Sequence, residues 1–348
     1  MKGRGTDLAP GNRFETTEVI KDMDYYEQFP DELDKRIETT FIREHSKNVL
    51  SQNDSPDLGF GYSINPYKGC EHGCIYCYAR PTHEYWGFNQ GVDFETKIMY
   101  KPDAATLLEK TFRKESWQPQ VVIVSGNTDC YQPGERKFQI TRRLLEVFLK
   151  FRNPLGMITK NSLIERDLDL LEELAKLELV SVTISITTLD RNLTAIMEPR
   201  TSRPERRLKT VETLAKRGIR VGVNIAPIVP GINDKQIPEI MKAAAEAGAK
   251  SVGKVILRLP YKNKDLFVDW VIKNFPDRKD KILNRIKSLM SGKLYNSEFH
   301  ERFRGSGQWA ETINQIFYLN VKKYKLNQER SPLRTDLFIR NPDQMDLF

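Results

Sequence analysis

The sequence predicts an α/β fold, a partial (βα)6 barrel of TIM type with an N-terminal extension and a C-terminal helical segment. Three observations predict it. Short β-rich runs recur six times between residues 62 and 259, amphipathic stretches separate them, and several of the joins carry a glycine or a capping residue. Strand–helix alternation at this spacing builds right-handed parallel βαβ units. Six such units give a partial barrel, whose reactive end is the one at the C-terminal ends of its strands.

Residues 1–60 are polar, partly acidic and weakly periodic, and are expected to wrap the core as an extension. The barrel is expected over 61–262, with strands at 62–67, 120–125, 156–159, 180–186, 220–225 and 251–259. Thr141 is expected to cap a helix carrying Leu144, Leu145, Phe148 and Leu149 at helical spacing. A second helix carries Leu168, Leu171, Leu174 and Ala175, and a third carries Leu208, Val211, Leu214 and Ala215 and is closed by Gly218. The fourth, with Ile237, Ile240, Met241 and Ala244, follows Asn233-Asp234 and stops near Gly248.

Residues 263–325 place Leu266, Phe267 and Trp270, then Ile282, Ile286 and Leu289, then Ile313, Phe317 and Val321 on apolar helical faces. This region is expected to close the open side of the barrel. Arg302 and Arg304, beside Gly305-Ser306-Gly307, make it either a nucleic-acid face or an ordinary solvated surface. Residues 326–348 read as a flexible tail.

With 39% hydrophobic residues and no long apolar run, the chain is expected to be cytoplasmic, with no membrane segment and no signal peptide. Its net charge of +8, from 55 Lys+Arg against 47 Asp+Glu, suits a polyanionic partner without requiring one.

Three of the four cysteines fall in Cys70-Glu71-His72-Gly73-Cys74-Ile75-Tyr76-Cys77. A C-x3-C-x2-C loop can set three thiolates on one face of a cubane iron–sulfur cluster and leave the fourth iron open. A structural zinc site using the three cysteines with His72 or His83 is the alternative, although zinc sites more often have two paired halves separated by a longer span. Cysteines so crowded cannot staple a chain of 348 residues through disulfides.

The run 61–98 around this loop is one of a series of segments that share a resemblance. The others are N-T-D-C-Y-Q-P-G-E-R at 127–136, I-T-K-N-S-L-I-E-R-D at 158–167, S-I-T-T-L-D at 185–190, M-E-P-R at 197–200, P-E-R-R-L at 204–208, A-P-I-V-P-G-I-N-D at 226–234 and R-L-P at 258–260. Over about residues 3 to 320 the chain resembles a DNA-repair-photolyase-like family of the radical S-adenosylmethionine (SAM) superfamily, related to spore photoproduct lyase.

The resemblance implies a [4Fe–4S] cluster on Cys70, Cys74 and Cys77, SAM as cosubstrate, a 5′-deoxyadenosyl radical, and an electron donor such as flavodoxin or ferredoxin. By position, Thr128 and Asp129 would receive the SAM amino group, where many radical SAM enzymes carry Gly-Gly-Glu. Lys160 would meet the carboxylate and Ser185 and Thr187 the ribose or carboxylate. Asn224 and Ala226 would flank the adenine, with Tyr76 and Tyr78 lining the pocket. Cys130 is a possible hydrogen-atom donor. Glu198 and Arg200 would recognise substrate or form an ion pair, Arg80 and His83 would order the cysteine loop, and Arg258 would point toward the substrate.

A nucleic-acid component is the expected substrate, with a peptide or small metabolite as alternative. A third reading, of another class, is a non-enzymatic nucleic-acid binder stapled by metal. The extreme C-terminus, with Gln344, Leu347 and Phe348, resembles the peptides by which bacterial DNA-handling proteins dock on the replication sliding clamp.

Overall fold

Period-two patterning decides how the central sheet is dressed. Val180, Val182 and Ile184 on one strand and Val221, Val223 and Ile225 on the next are buried, while Ser181, Thr183, Asn224 and Ala226 between them are less enclosed. Successive strand side chains face opposite ways, so one face is apolar and the other polar. The apolar face packs on the helices Ile140–Phe151, Leu168–Lys176, Pro204–Lys216 and Ile237–Glu246, which supply Leu144, Leu171, Val211 and Ile240 to the same core.

The computed structural model describes residues 3–14, 37–328 and 331–343. Its strands are β1 Thr40–Arg43, β2 Leu50–Gln52, β3 Tyr62–Ile64, β4 Tyr67–Lys68, β5 Lys97–Tyr100, β6 Val122–Val124, β7 Leu155–Thr159, β8 Val180–Ser185, β9 Arg220–Ile228 and β10 Ser251–Ile256. The main sheet runs β10-β9-β8-β7-β6-β3-β2, parallel throughout except for the antiparallel pair β2–β3. Each crossover steps to the adjacent strand without reversal. Right-handed connections then keep the helices on one face and leave the other for a hollow. The expected partial barrel is therefore what forms, with β2 and β10 as its edges among the described residues rather than a closed ring.

Both edges are managed by side chains and loops. Asn327 sits beside β10 like a fragment of strand: its Oδ1 accepts from Val252 N at 2.9 Å and its Nδ2 donates to Val252 O at 3.0 Å. Farther up, Ile256 N donates to Phe303 O at 3.0 Å. The same 300–304 segment reaches the β2–β3 loop, where Asp57 accepts from His300 N at 2.7 Å and Arg302 Nε at 2.6 Å. This segment bridges the gap between the sheet edges.

The C-terminal helices are Asn263–Asn274, Lys279–Leu289 and Gly307–Lys323, and they bury Leu266, Phe267, Trp270, Ile282, Ile286, Leu289, Ile313 and Phe317. One expected cap is corrected. The helix after β6 starts at Ile140, and the Glu135 carboxylate accepts from Ile140 N at 3.0 Å and Thr141 N at 3.1 Å. Thr141 instead donates its hydroxyl to Cys130 O at 2.7 Å. An ionised carboxylate matches the partial positive charge of a helix N-terminus better than a hydroxyl does. Gln344, Leu347 and Phe348 lie outside the described residues. Among the described residues no helix is long and apolar enough to cross a membrane.

Candidate active site

The cysteine loop leaves β4 and is fastened by its backbone. Cys70 N donates to Phe94 O at 2.8 Å and Ile75 N to Met197 O at 3.1 Å. The fully buried Arg80 donates to Cys74 O, Gln90 O and Gly91 O and pairs with the equally buried Glu95. Gln132 accepts from Glu71 N at 2.9 Å and donates to Gly69 O at 3.2 Å, and Asn263 donates to Cys77 O at 2.8 Å. Gly73 turns the loop with φ 65°, where a Cβ would lie 2.8 Å from Glu95 Oε2. So many anchors leave the loop little freedom except at its sulfurs.

Those sulfurs are free: Cys70 and Cys74 are buried, Cys77 is half-buried, and none is in a disulfide. Burial, and then neighbouring charges that include the other thiols, push Cys70 and Cys74 up. Such thiols are poor anions by themselves, and a multivalent cation offsets that cost. The donor set fits an iron–sulfur cluster. The zinc alternative would need His72 or His83 as its fourth ligand. His72 is engaged elsewhere, and His83 packs its ring on Phe88 and Phe94 with both nitrogens lacking hydrogen bonds.

Above the strand ends, four expected residues meet in one network around Glu198. Lys160 Nζ lies 3.3 Å from Glu198 Oε1 and donates to Ala226 O at 3.1 Å. Thr187 donates to Glu198 at 2.6 Å, and Tyr76 OH and Arg207 also bind that carboxylate. Burial alone would raise the Glu198 carboxyl, but Arg207 and Lys160 hold it well below the usual carboxylate range. Glu198 is thus the ion-pair member of the two roles open to it. Arg207 was missed, although its sequence carries a signal: it shares a helix face with Val211 and Leu214, where a charge is out of place unless paired.

Two expectations for the β6 loop are corrected. Asp129 Oδ1 accepts from Thr159 Oγ1 at 2.7 Å and Tyr131 N at 2.9 Å; Oδ2 accepts from Lys160 N at 2.8 Å and faces His72 Nδ1 at 3.4 Å. A carboxylate has about four acceptor sites, and all are taken. Thr128 donates its hydroxyl to Tyr67 O at 2.6 Å and is buried. Both side chains serve the scaffold: Asp129 has no acceptor site left for an ammonium group, and Thr128 is buried with its proton spent on Tyr67 O. Cys130 is also corrected: it is fully buried in the main core, so its thiol cannot reach a substrate.

Arg200 supports the loop, with its N–H donating to His72 O at 3.3 Å and its guanidinium 3.4 Å from Glu71. Tyr78 OH donates to Gly126 O, and Arg258 stands over the Tyr78 ring. Ser185 is buried, and its carbonyl accepts from Arg207 at 2.9 Å. Asn224 Oδ1 is buried without a hydrogen-bond partner, on the wall of a hollow of about 740 Å3 whose other lining, with Ser181, Arg220, Lys250 and Ser251, lies toward the N-terminal ends of β8, β9 and β10. An unmet buried acceptor on such a wall is a place for a ligand donor.

Comparison with known proteins agrees with this architecture. The family model for the radical SAM superfamily matches residues 64–244. An uncharacterized protein of Mycobacterium tuberculosis is 34% identical over 241 residues, covering 68% of this chain and 71% of the relative. The FeMo cofactor biosynthesis protein NifB of Chlorobaculum tepidum is 25% identical over 263 residues, covering 71% of this chain and 58% of that protein. Among solved structures, spore photoproduct lyase complexed with dinucleoside spore photoproduct matches with a TM-score of 0.59 at 16% identity, over 82% of this chain and 79% of the lyase. A mutant of that lyase with bound AdoMet and the same dinucleoside matches with a TM-score of 0.59 at 15% identity, over 90% and 85%. At these identities the solved structures establish the fold.

Proposed function

The chain belongs to the radical SAM superfamily, enzymes that use a [4Fe–4S] cluster and SAM and take electrons from reductants, and on that premise we propose that it abstracts hydrogen from a nucleic-acid component. The observation that carries the chemistry is the set of three free thiols in one anchored loop at the strand ends. Cys70, Cys74 and Cys77 would hold the cluster. It would supply one electron, drawn from a flavodoxin- or ferredoxin-like donor, for reductive cleavage of SAM to methionine and a hydrogen-abstracting 5′-deoxyadenosyl radical.

The protein's part is to bind, orient and exclude water. Lys160 offers a cation to the SAM carboxylate, toward which its ammonium would turn from its present partners Glu198, Ala226 O and Thr187. Thr187, Ser185 and Tyr76 frame the same space, Asn224 offers an unmet acceptor to the exocyclic amino group of adenine, and Tyr78 continues the wall. Support for a nucleic-acid substrate comes from the net charge and from the likeness to a lyase bound to a dinucleoside.

Anaerobic reconstitution followed by assay of 5′-deoxyadenosine tests the chemistry. Alanine at Cys70, Cys74 or Cys77 should abolish SAM cleavage, and full iron content in the triple variant would refute the ligand set. Deuterated nucleic acids should pass label into 5′-deoxyadenosine, whereas transfer from peptide or metabolite pools instead would move the substrate to those classes. The tail with Gln344, Leu347 and Phe348 is proposed to dock on a sliding clamp, and calorimetry with the 341–348 peptide decides it.

A further inference from the structure

Large aromatic rings left in water usually have a partner to meet, and this chain exposes several beside the cysteine loop. Tyr85 is 70% exposed, Tyr261 58%, Phe299 52% and Tyr78 40%. They are organised with arginines into two stacks. In one, the Arg258 guanidinium lies 5.1 Å from the Tyr78 ring centre and 4.3 Å from that of Phe303; Arg302 continues it at 5.3 Å from Phe303 and 4.5 Å from Phe299. In the other, Arg13 lies 3.7 Å from the Tyr261 ring centre and 5.2 Å from Phe14, which faces Tyr85 at 5.1 Å.

The stacks are neighbours because each ties the chain after β10 to the chain around the cysteine loop. Arg258 meets Tyr78, the residue after Cys77. Tyr261, three residues on, meets Arg13, which pairs with Glu84 on the 3-10 helix Arg80–Trp86. The first stack also runs along the 300–304 segment that bridges the open side of the barrel.

The three arginines differ in one respect. Arg13 has Glu84 and Arg302 has Asp57. Arg258 Nε is buried with no hydrogen-bond partner, and no ion pair reaches its guanidinium among the described residues. A partly desolvated guanidinium without an anion is costly. The anion is therefore expected from a ligand. Ring and guanidinium planes with open faces take flat, unstacked partners, which a duplex keeps hidden between its base pairs. An acidic peptide would satisfy Arg258 but would leave the rings uncovered.

We propose that these stacks form a track for single-stranded nucleic acid, with bases laid on Tyr261, Tyr85 and Phe299 and one phosphate on Arg258 beside the cysteine loop. This deepens the nucleic-acid reading above and rests on it.

The test is fluorescence anisotropy of a labelled twelve-nucleotide single strand and its duplex with reconstituted full-length protein, without reductant, at two salt concentrations. The single strand should bind more tightly than the duplex. Tyr261→Ala and Tyr85→Ala should each weaken it by roughly fivefold to a hundredfold. Arg258→Gln should weaken it by about tenfold and lower the salt slope by about one. Tyr318→Ala, which removes a ring 64% exposed on the Gly307–Lys323 helix, should change nothing. Equal binding of duplex, wild-type affinity in all three track variants, or no binding of either nucleic acid would each overturn the track. SAM cleavage without nucleic acid is measured in parallel, so failure of the track is separated from failure of the radical chemistry. If the track binds but deuterium never leaves the strand, the track stands and the substrate reading falls.

Discussion

His72 Nδ1 lies 3.4 Å from Asp129 Oδ2, and this contact carries the cysteine loop to the end of β6. The other ring nitrogen of His72 is 3.1 Å from Asn161 Nδ2 on the β7 side. Asn161 Oδ1 already accepts from Leu163 N, so its amide nitrogen donates to Nε2 and leaves the His72 proton on Nδ1, toward Asp129. A residue between two of the three cysteines is thereby positioned by two strand ends.

Asp129→Asn turns one acceptor oxygen into a donor facing N–H groups. It should cost about 1–3 kcal/mol of stability and make the cluster easier to strip with chelator, while SAM affinity of the cluster that remains stays at the wild-type value. Iron release kinetics and SAM titration check this. A selective loss of SAM affinity would return Asp129 to the SAM amino group.

Lys160→Ala should do the reverse. Loss of one charge-assisted hydrogen bond to the SAM carboxylate costs about 1.5–3 kcal/mol, or roughly ten- to hundredfold in affinity. 5′-Methylthioadenosine, which lacks the amino-acid moiety, should bind wild type and variant alike. If both ligands weaken together, Lys160 acts through the Glu198 network rather than on the carboxylate.

Arg207→Gln removes the main partner of a fully buried carboxylate. Stability should fall by about 3–5 kcal/mol, as when one member of a buried ion pair is lost. Urea unfolding measures it, and Arg207→Gln combined with Glu198→Gln should recover part of the loss because the stranded charge is gone.

His83 offers a pH test. Burial holds its imidazole down at about 4, against 6.5 for the ordinary group. Between those values the unfolded chain binds a proton that the folded chain refuses. Stability is therefore whole above about pH 6.5 and falls by about 3 kcal/mol as pH drops to about 4. His83→Leu should lose that slope in urea unfolding at pH 7 and pH 4.5; an unchanged difference between the two pH values would assign the slope to other groups.

The strands and helices of the barrel were legible because buried faces repeat every two or about 3.6 residues, and the cysteine loop was legible because ligand spacing is local. Three-dimensional satisfaction was not. That Asp129 has its acceptor sites filled depends on Thr159, Lys160 and His72, which only the fold brings together. Cys130 looked accessible at a strand end, yet the turn carries it under the surface; Ser125, at φ 78°, donates to Thr128 O and accepts from Cys130 N to fix that turn. The small sheet β1-β5-β4 was missed as well. Its strands have two to four residues, too few for alternation to register, and β1 lies in the stretch expected only to wrap the core.

The division of the main sheet into an apolar outer face and a polar hollow has a consequence for descent. Exchanging Ser181, Thr183 or Ser251 leaves the apolar core untouched, and changes at such positions usually shift stability by about half a kcal/mol or less. Exchanging Val182 or Val223 opens a cavity in the core and costs far more. Lineages that inherit this scaffold can therefore rewrite the polar wall while the layer that keeps the chain folded stays fixed.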